Sequence, residues 1–351
     1  MNSTLVPKLL MSDFDHMFDG LGSNDWLYFG GKRLFVTGGT GFIGKWMLSA
    51  LADASNRLDL NCTVEILTRF PRQFESSMPQ LALGRNTILH QGDIRNFNFP
   101  KGKFDIIVHG ATDVVAQNRP LETFSTCVDG TKHVLNFASQ SGAKDFLLTS
   151  SGAIYGKHPN TSDGVSESYL GGPDPTSPLS AYAEGKRVSE WLASAQGAET
   201  GLRVKIARIY AQVGPYIPLD KHFAIGNFIN DALAGRQIIV RGDGTPVRSY
   251  LYAADTAIWL WAMVVRGNAG RAWNLGGSDG ISIADLANKV DALVGKTKGV
   301  KVLTPRDPDR IPEKYIPNVQ RALTELNLPP PIPIDDAILR TAKWLKLNNL
   351  V

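Results

Sequence analysis

Arg33-Leu34-Phe35-Val36-Thr37-Gly38-Gly39-Thr40-Gly41-Phe42-Ile43-Gly44 is a short apolar run, then a cluster of glycines, then the start of a helical stretch that continues through Ala54. A strand feeding a glycine turn that opens a helix is the context in which such glycines carry chemistry. One glycine permits the tight turn. One lets the backbone approach a pyrophosphate, and one lets the helix pack close to the strand. The first helical N–H groups then face the anion. Gly38, Gly41, Phe42, Ile43 and Gly44 are therefore candidates for holding a dinucleotide.

Working outward, the same alternation recurs. Val64–Thr68, Thr87–Gln91, Phe104–Val108, Asp145–Thr149 and Val204–Arg208 read as further strands, with helical patterns between most of them. Such alternation predicts an α/β protein of Rossmann type, a doubly wound parallel sheet covered by helices on both faces. After Tyr210 the texture changes. Gly214, Pro215 and Pro218 open a loop-rich region, a helix is expected near Ala254–Val265, and a strand near Ala272–Leu275. The expected organisation is an N-terminal extension (1–30) and a cofactor-binding domain (31–211 and about 250–278). A smaller C-terminal substrate-binding lobe (about 212–249 and 279–351) completes it.

Composition narrows the classes. The chain has 351 residues, 43% hydrophobic and 20% charged, with a formal charge of +4 from 37 basic and 33 acidic residues. That spread-out excess does not suggest nucleic acid. Cys62 and Cys127 support no disulfide framework and no metal spacing. The start lacks signal-peptide order, and the apolar stretch Thr256–Val265 is about half of what a bilayer crossing needs. A cytoplasmic protein without membrane contact is expected.

Tyr182 and Lys186 lie four apart in a helical pattern, so phenol and ammonium share one face. A free tyrosine, with a pKa of about 10, is a weak base at neutral pH. A neighbouring cation lowers that pKa. Tyr182 can then take or give a proton at a carbinol or carbonyl. Upstream, the fifth strand ends in Thr149-Ser150-Ser151-Gly152-Ala153-Ile154-Tyr155-Gly156, and a hydroxyl at that end can orient a substrate oxygen.

The glycine turn, the strand-end serine and the tyrosine–lysine pair, in this order, resemble the extended short-chain dehydrogenases. More narrowly they resemble the NAD-dependent epimerase/dehydratase family that acts on nucleotide sugars. The resemblance spans nearly the whole chain from Lys32. It implies catalysis by Ser151, Tyr182 and Lys186. It also implies a cofactor lined by Ile94, Ala111 and Thr112, with Asp93 at the adenine and both Tyr182 and Lys186 at the nicotinamide. Arg248, in Gly242-Asp243-Gly244-Thr245-Pro246-Val247-Arg248-Ser249-Tyr250, matches the segment whose arginine meets the sugar-nucleotide diphosphate. A guanidinium fork suits phosphate oxygens. Asn227 and Arg310 are further candidates for the substrate, and Lys221 and His222 for an extra acid or base near the sugar. The family habit of pairing through two helices per subunit implies a homodimer.

Thr68 and Arg69 close the second strand, where enzymes preferring the unphosphorylated cofactor place an acid. A base there tilts the expectation from NAD(P) in general towards NADP(H). One departure is Cys127, where the family motif carries Asn. Another is decisive for the reaction. Family dehydratases place Asp and Glu after the strand-end hydroxyl, and decarboxylases a Glu; here those positions are Gly152 and Ala153, which can move no proton. Dehydration is therefore disfavoured, and a nucleotide-sugar 4-epimerase or 4-ketoreductase is expected. The alternatives are a reductase of a small non-nucleotide ketone and a cofactor-binding regulator without catalysis. His109 is expected to be structural.

Overall fold

The computed structural model describes residues 8–112, 119–159, 163–219, 223–295 and 298–350. Its centre is one parallel sheet of seven strands: β1 (Arg33–Thr37), β2 (Thr63–Thr68), β3 (Thr87–Gln91), β4 (Ile106–His109), β5 (Asp145–Ser151), β6 (Arg203–Ile209) and β7 (Arg271–Leu275). Their spatial order is β7-β6-β5-β4-β1-β2-β3. The chain leaves β1 on one side and resumes at β4 on the other, so a crevice opens at the carboxyl ends between them. β1 and β4 run in register from Leu34 opposite Ile106 to Thr37 opposite His109. Leu34, Phe35, Val36, Ile106, Ile107 and Val108 are all buried. Strands covered on both faces need such uninterrupted apolar runs.

Eight of the helices concern the argument: α1 (Met11–Leu21), α2 (Phe42–Leu58), α3 (Pro120–Ser141), α4 (Ala181–Thr200), α5 (Ala224–Leu233), α6 (Ala253–Arg266), α7 (Ile283–Val294) and α8 (Ile334–Leu347). Pro120 opens α3, where its missing N–H costs nothing. Gly142 and Gly201 end α3 and α4 in the left-handed conformation. α6 is buried around nearly its whole circumference, Trp259 and Trp261 included. It packs against α1 and α2. That burial accounts for the apolar run at 256–265. No helix among the described residues is long and apolar enough to cross a membrane.

The leading segment is tied into the body by ionic contacts at several points. Asp13 on α1 is wholly buried and accepts from Arg340 of α8 at 2.8 Å and from the Tyr252 hydroxyl at 3.0 Å. Burial pushes its carboxyl pKa up against those two stabilising contacts. His16 meets Asp255 at 2.7 Å, and the Tyr28 hydroxyl donates to Asp145 at 2.6 Å. Removing one partner of a buried pair such as Asp13–Arg340 leaves an uncompensated charge, which is costly.

After β6 the smaller strands gather beyond the crevice. Val247–Arg248 pairs with Ile281–Ser282 on one side and with Lys314–Tyr315 on the other. The second pairing sets Tyr315 directly beside Arg248. This register brings two distant stretches to one cavity.

Candidate active site

The crevice holds a cavity of about 650 Å³, walled on one side by Gly38, Gly41, Phe42, Ile43 and Gly44 and on the other by Phe223, Ala224, Arg248 and Tyr315. Ser151, Tyr182 and Lys186 line it between these walls. Ser151 and the Tyr182–Lys186 pair, which are separate in the chain, thus converge because β5 ends where the first turns of α4 pass over it.

At the glycine turn, Gly38 has a φ of +77°, and a Cβ there would lie 2.5 Å from the backbone of Gly110. The next strand therefore comes closer than any side chain allows. A Cβ on Gly41 would meet only the Gly38 carbonyl oxygen, at 3.3 Å. The start of α2 thus faces open space, and its first N–H groups are free of intrahelical partners. The cradle fits a dinucleotide pyrophosphate.

Beneath the turn, the Thr37 hydroxyl accepts from the amides of Gly110 and Ala111, both at 3.1 Å. Its proton is left for His109 Nδ1 at 2.9 Å, and His109 Nε2 meets Thr131 at 3.0 Å. Burial, with the Lys186 charge adding, lowers the His109 pKa to about 3. His109 is a neutral strut, as the sequence suggested. Cys127 is buried beside Lys186, and burial raises its thiol pKa. A raised thiol is a poor nucleophile.

Lys186 Nζ donates to the Thr149 carbonyl at 2.7 Å and stands 6.0 Å from the centre of the Tyr182 ring. Burial lowers the lysine pKa. Burial also raises the Tyr182 pKa, and the hydrogen bond with Ser151 opposes this only partly. The lowering of the phenol pKa expected from Lys186 is thus not seen in the protein alone, where burial dominates. Tyr182 is held protonated, as a donor.

Ser151 has a second phenol beside it. Tyr315 hydrogen-bonds the same serine, and burial raises its pKa to about 12. The Ser151 hydroxyl also accepts from the Ala153 amide at 3.2 Å. Tyr210 completes the wall. Its ring is 4.5 Å from that of Tyr315, and a Cβ on Gly152 would lie 2.5 Å from it. Glycine at 152 is thus a steric necessity, and the ring stands where a side chain at that position would project. Tyr315 and Tyr210 were not singled out in the sequence. Nothing in the segment between Pro312 and Pro317 marked Tyr315.

The other sequence candidates are spread more widely. Arg248 lines the cavity, donates to Glu313 at 2.9 Å and lies 5.7 Å from the Tyr315 ring. Thr112 also lines it, next to Ala111 at the end of β4. Thr68 and Arg69 close β2, and Asp93 and Ile94 follow β3, along the same sheet edge. Asp93 is gripped by both Nε and Nη2 of Arg95, at 2.8 and 2.9 Å. That contact, with Arg69 nearby, brings its pKa down to about 2. Asn227, one turn into α5, and Arg310, in an exposed loop, are not among the described residues that line the cavity. Lys221 and His222 lie outside the described residues.

A parallel 3-2-1-4-5-6-7 sheet, a glycine cradle at its switch point and a Ser/Tyr/Lys set across from it define a nicotinamide-dependent dehydrogenase-type site. The sequence signature of the NAD dependent epimerase/dehydratase family matches residues 34–276, and the chain belongs to that family. UDP-glucuronic acid decarboxylase 1 of Xenopus tropicalis is 28% identical over 90% of this chain and 72% of its own. UDP-glucuronic acid decarboxylase 6 of Arabidopsis thaliana is 29% identical over 87% of this chain and 86% of its own. Among solved structures, DesIV, a dTDP-glucose 4,6-dehydratase of Streptomyces venezuelae with NAD and TYD bound, superposes with a TM-score of 0.76. It is 25% identical and covers 90% of this chain and 98% of its own.

Proposed function

We propose that this chain interconverts a carbinol and a ketone at C4 of a nucleotide-linked sugar, as a 4-epimerase or a 4-ketoreductase. The carrying observation is that Ser151, Tyr182 and Lys186 line one cavity whose neighbouring positions 152 and 153 hold no acid. The relatives act on nucleotide sugars by their names. The decarboxylases and dehydratases among them need proton-moving side chains that Gly152 and Ala153 do not offer, and the Tyr210 ring bars position 152 to anything larger.

The cofactor would be held by the Gly38–Gly44 turn, with Thr112, Tyr182 and Lys186 towards its nicotinamide end. When bound, it exchanges a hydride with the sugar carbon. In the reducing direction Tyr182 gives its proton to the carbonyl oxygen while Ser151 orients that oxygen. Lys186, anchored on the Thr149 carbonyl, steadies the phenolate left behind. Solvent then restores the proton. Epimerisation runs the same exchange in both directions, on opposite faces of the sugar.

Arg69 and Arg95 both flank Asp93. Two guanidinium groups near the adenosine end support NADP(H) over NAD(H). Arg248 would hold the diphosphate and residues 212–249 and 279–351 the nucleotide sugar. Leu121 and Phe124 on α3 and Trp191 on α4 stand exposed, which supports pairing of two copies through these helices.

Unfolding the purified protein and identifying what it releases tests the reading. An epimerase gives up a stoichiometric oxidised cofactor. A reductase comes empty and takes up NADPH on titration. A protein that neither carries nor binds a nicotinamide cofactor is not this enzyme. Arg248→Ala is expected to weaken nucleotide-sugar binding by more than about tenfold, the loss of roughly one charge-assisted phosphate contact. Unchanged affinity in a titration calorimeter would favour a small ketone as substrate.

A further inference from the structure

One guanidinium is shared by the two elements that carry the catalytic set. Arg208, near the end of β6, donates from Nη2 and Nε to the Glu190 carboxylate at 2.7 and 3.1 Å. From Nη1 it donates to the Tyr155 hydroxyl at 2.7 Å and to the Glu167 carbonyl at 3.2 Å. Glu190 stands one helical turn beyond Lys186 on α4. Tyr155 ends the short turn Gly152–Tyr155 that follows Ser151. α4 packs directly on that turn. The bonds continue towards the lobe. The Tyr155 hydroxyl donates to Asn274 Oδ1 on β7 at 2.8 Å, and Asn274 Nδ2 donates to the carbonyls of Val165 at 2.7 Å and Asn318 at 3.1 Å. Val165 in turn bridges Pro317, two residues past Tyr315.

Arg208, Glu190 and Tyr155 are not among the described residues that line the cavity. Tyr155 is 1% exposed, and the side chains of Arg208 and Glu190 are 15% and 10% exposed. They act through what they hold. Two charges at this depth lose hydration that their attraction roughly repays, so the pair is a weak source of net stability. What it supplies is geometry. A guanidinium presents its N–H groups in a rigid planar fork. Here the fork is divided between two elements, and it fixes the turn after Ser151 against the helix of Tyr182 and Lys186. Alignment matters at fine scale, because an error of about 1 Å between reacting groups can cost about a hundredfold in rate.

We propose that Arg208 is a positioning residue for the proposed reaction. Through Tyr155 it holds Ser151, and through Glu190 it holds the Tyr182–Lys186 pair, so that the three meet at one distance. The inference rests on the catalytic reading above and adds the group that aligns it.

The test uses the full chain loaded with its cofactor, and the nucleotide sugar it accepts among UDP-, dTDP-, GDP- and CDP-glucose and their 4-keto forms. Arg208→Lys keeps a charge opposite Glu190 and loses the fork, so it cannot hold Tyr155 as well. It is expected to lower kcat at least about tenfold, with KM and cofactor affinity within about twofold of the original. Tyr155→Phe keeps the ring and removes the oxygen that links Arg208 to Asn274. It is expected to lower kcat about tenfold, again without a change in KM. Both substitutions break one link, so the double variant should lose little more than Arg208→Lys alone. A kcat within about twofold of the original in either single variant overturns the inference. Losses that multiply in the double variant, or that fall equally on cofactor affinity, overturn it too, because they mark a pair that only supports the fold. If Arg208→Lys melts below the working temperature, Tyr155→Phe decides alone by its kcat and KM. Each of these failures leaves the catalytic reading standing. An unsubstituted protein that exchanges hydride with no nucleotide sugar overturns both together.

Discussion

Tyr182→Phe is expected to lower kcat by about a thousandfold while KM and cofactor affinity stay near their original values. The substitution keeps the ring, its burial and the packing of α4 on β5. It removes the one oxygen that carries the transferred proton. General acid catalysis by a positioned group contributes about 10² to 10⁴ in rate, and Ser151 remains to polarise the carbonyl. An interaction made only in the transition state is lost from kcat, not from ground-state binding. The pH profile gives a second reading. The donor is the protonated phenol, which exists below its pKa. Burial raises that pKa. The rate of reduction should therefore be flat from about pH 6 to about pH 9 and fall only on the alkaline side, later than an ordinary phenol near 10 would dictate. Stopped-flow or steady-state kinetics on the accepted 4-keto sugar would show both. A variant retaining more than a tenth of kcat would remove Tyr182 from the chemistry.

The second large effect is expected at the glycine turn, where two neighbouring glycines should behave oppositely. Gly38→Ala forces a side chain into a φ of +77° and against the Gly110 backbone at 2.5 Å. The left-handed conformation alone costs about 1–2 kcal/mol. Overpacking against a backbone that cannot swing aside adds about 1–3 kcal/mol. Thermal melting should drop by several degrees, and cofactor binding should be lost with the displaced turn. Gly41→Ala has an ordinary φ of −78°, and its methyl meets only one carbonyl oxygen. That protein should melt like the parent, yet bind the cofactor at least about tenfold more weakly, because the methyl stands where a pyrophosphate must approach. Calorimetric melting together with cofactor titration separates the two effects. Equal cofactor affinity in Gly41→Ala would mean that the cradle does not face a phosphate.

Much of this was legible from short windows of sequence. β1 begins and ends where its apolar run does, because a strand buried on both faces must be apolar along its whole length. Ser151, Tyr182 and Lys186 could be found because each sits in a local pattern, a strand end or a helical i,i+4 pair. The aromatic wall could not. Tyr210 and Tyr315 come from a post-strand loop and a two-residue strand, and nothing in their own neighbourhoods points to a shared cavity. Their meeting depends on the register of Tyr315 against Arg248, which is set by tertiary packing. The same holds for Gly152. Its absence of a side chain was visible as missing chemistry, but the ring that forbids one was not.

The tie between α1 and α8 also bears on how the chain is made. Asp13 finds its charge partner 327 positions later, and its neighbour His16 finds Asp255. During synthesis the first helix emerges long before either partner exists, so its acidic and aromatic face must wait, solvated, while the sheet assembles behind it. Closure of so long a loop comes late and rewards only a nearly finished molecule. Clipping the last helix would accordingly be felt first at the opposite terminus, where amide exchange at residues 11–21 should quicken before the sheet loosens.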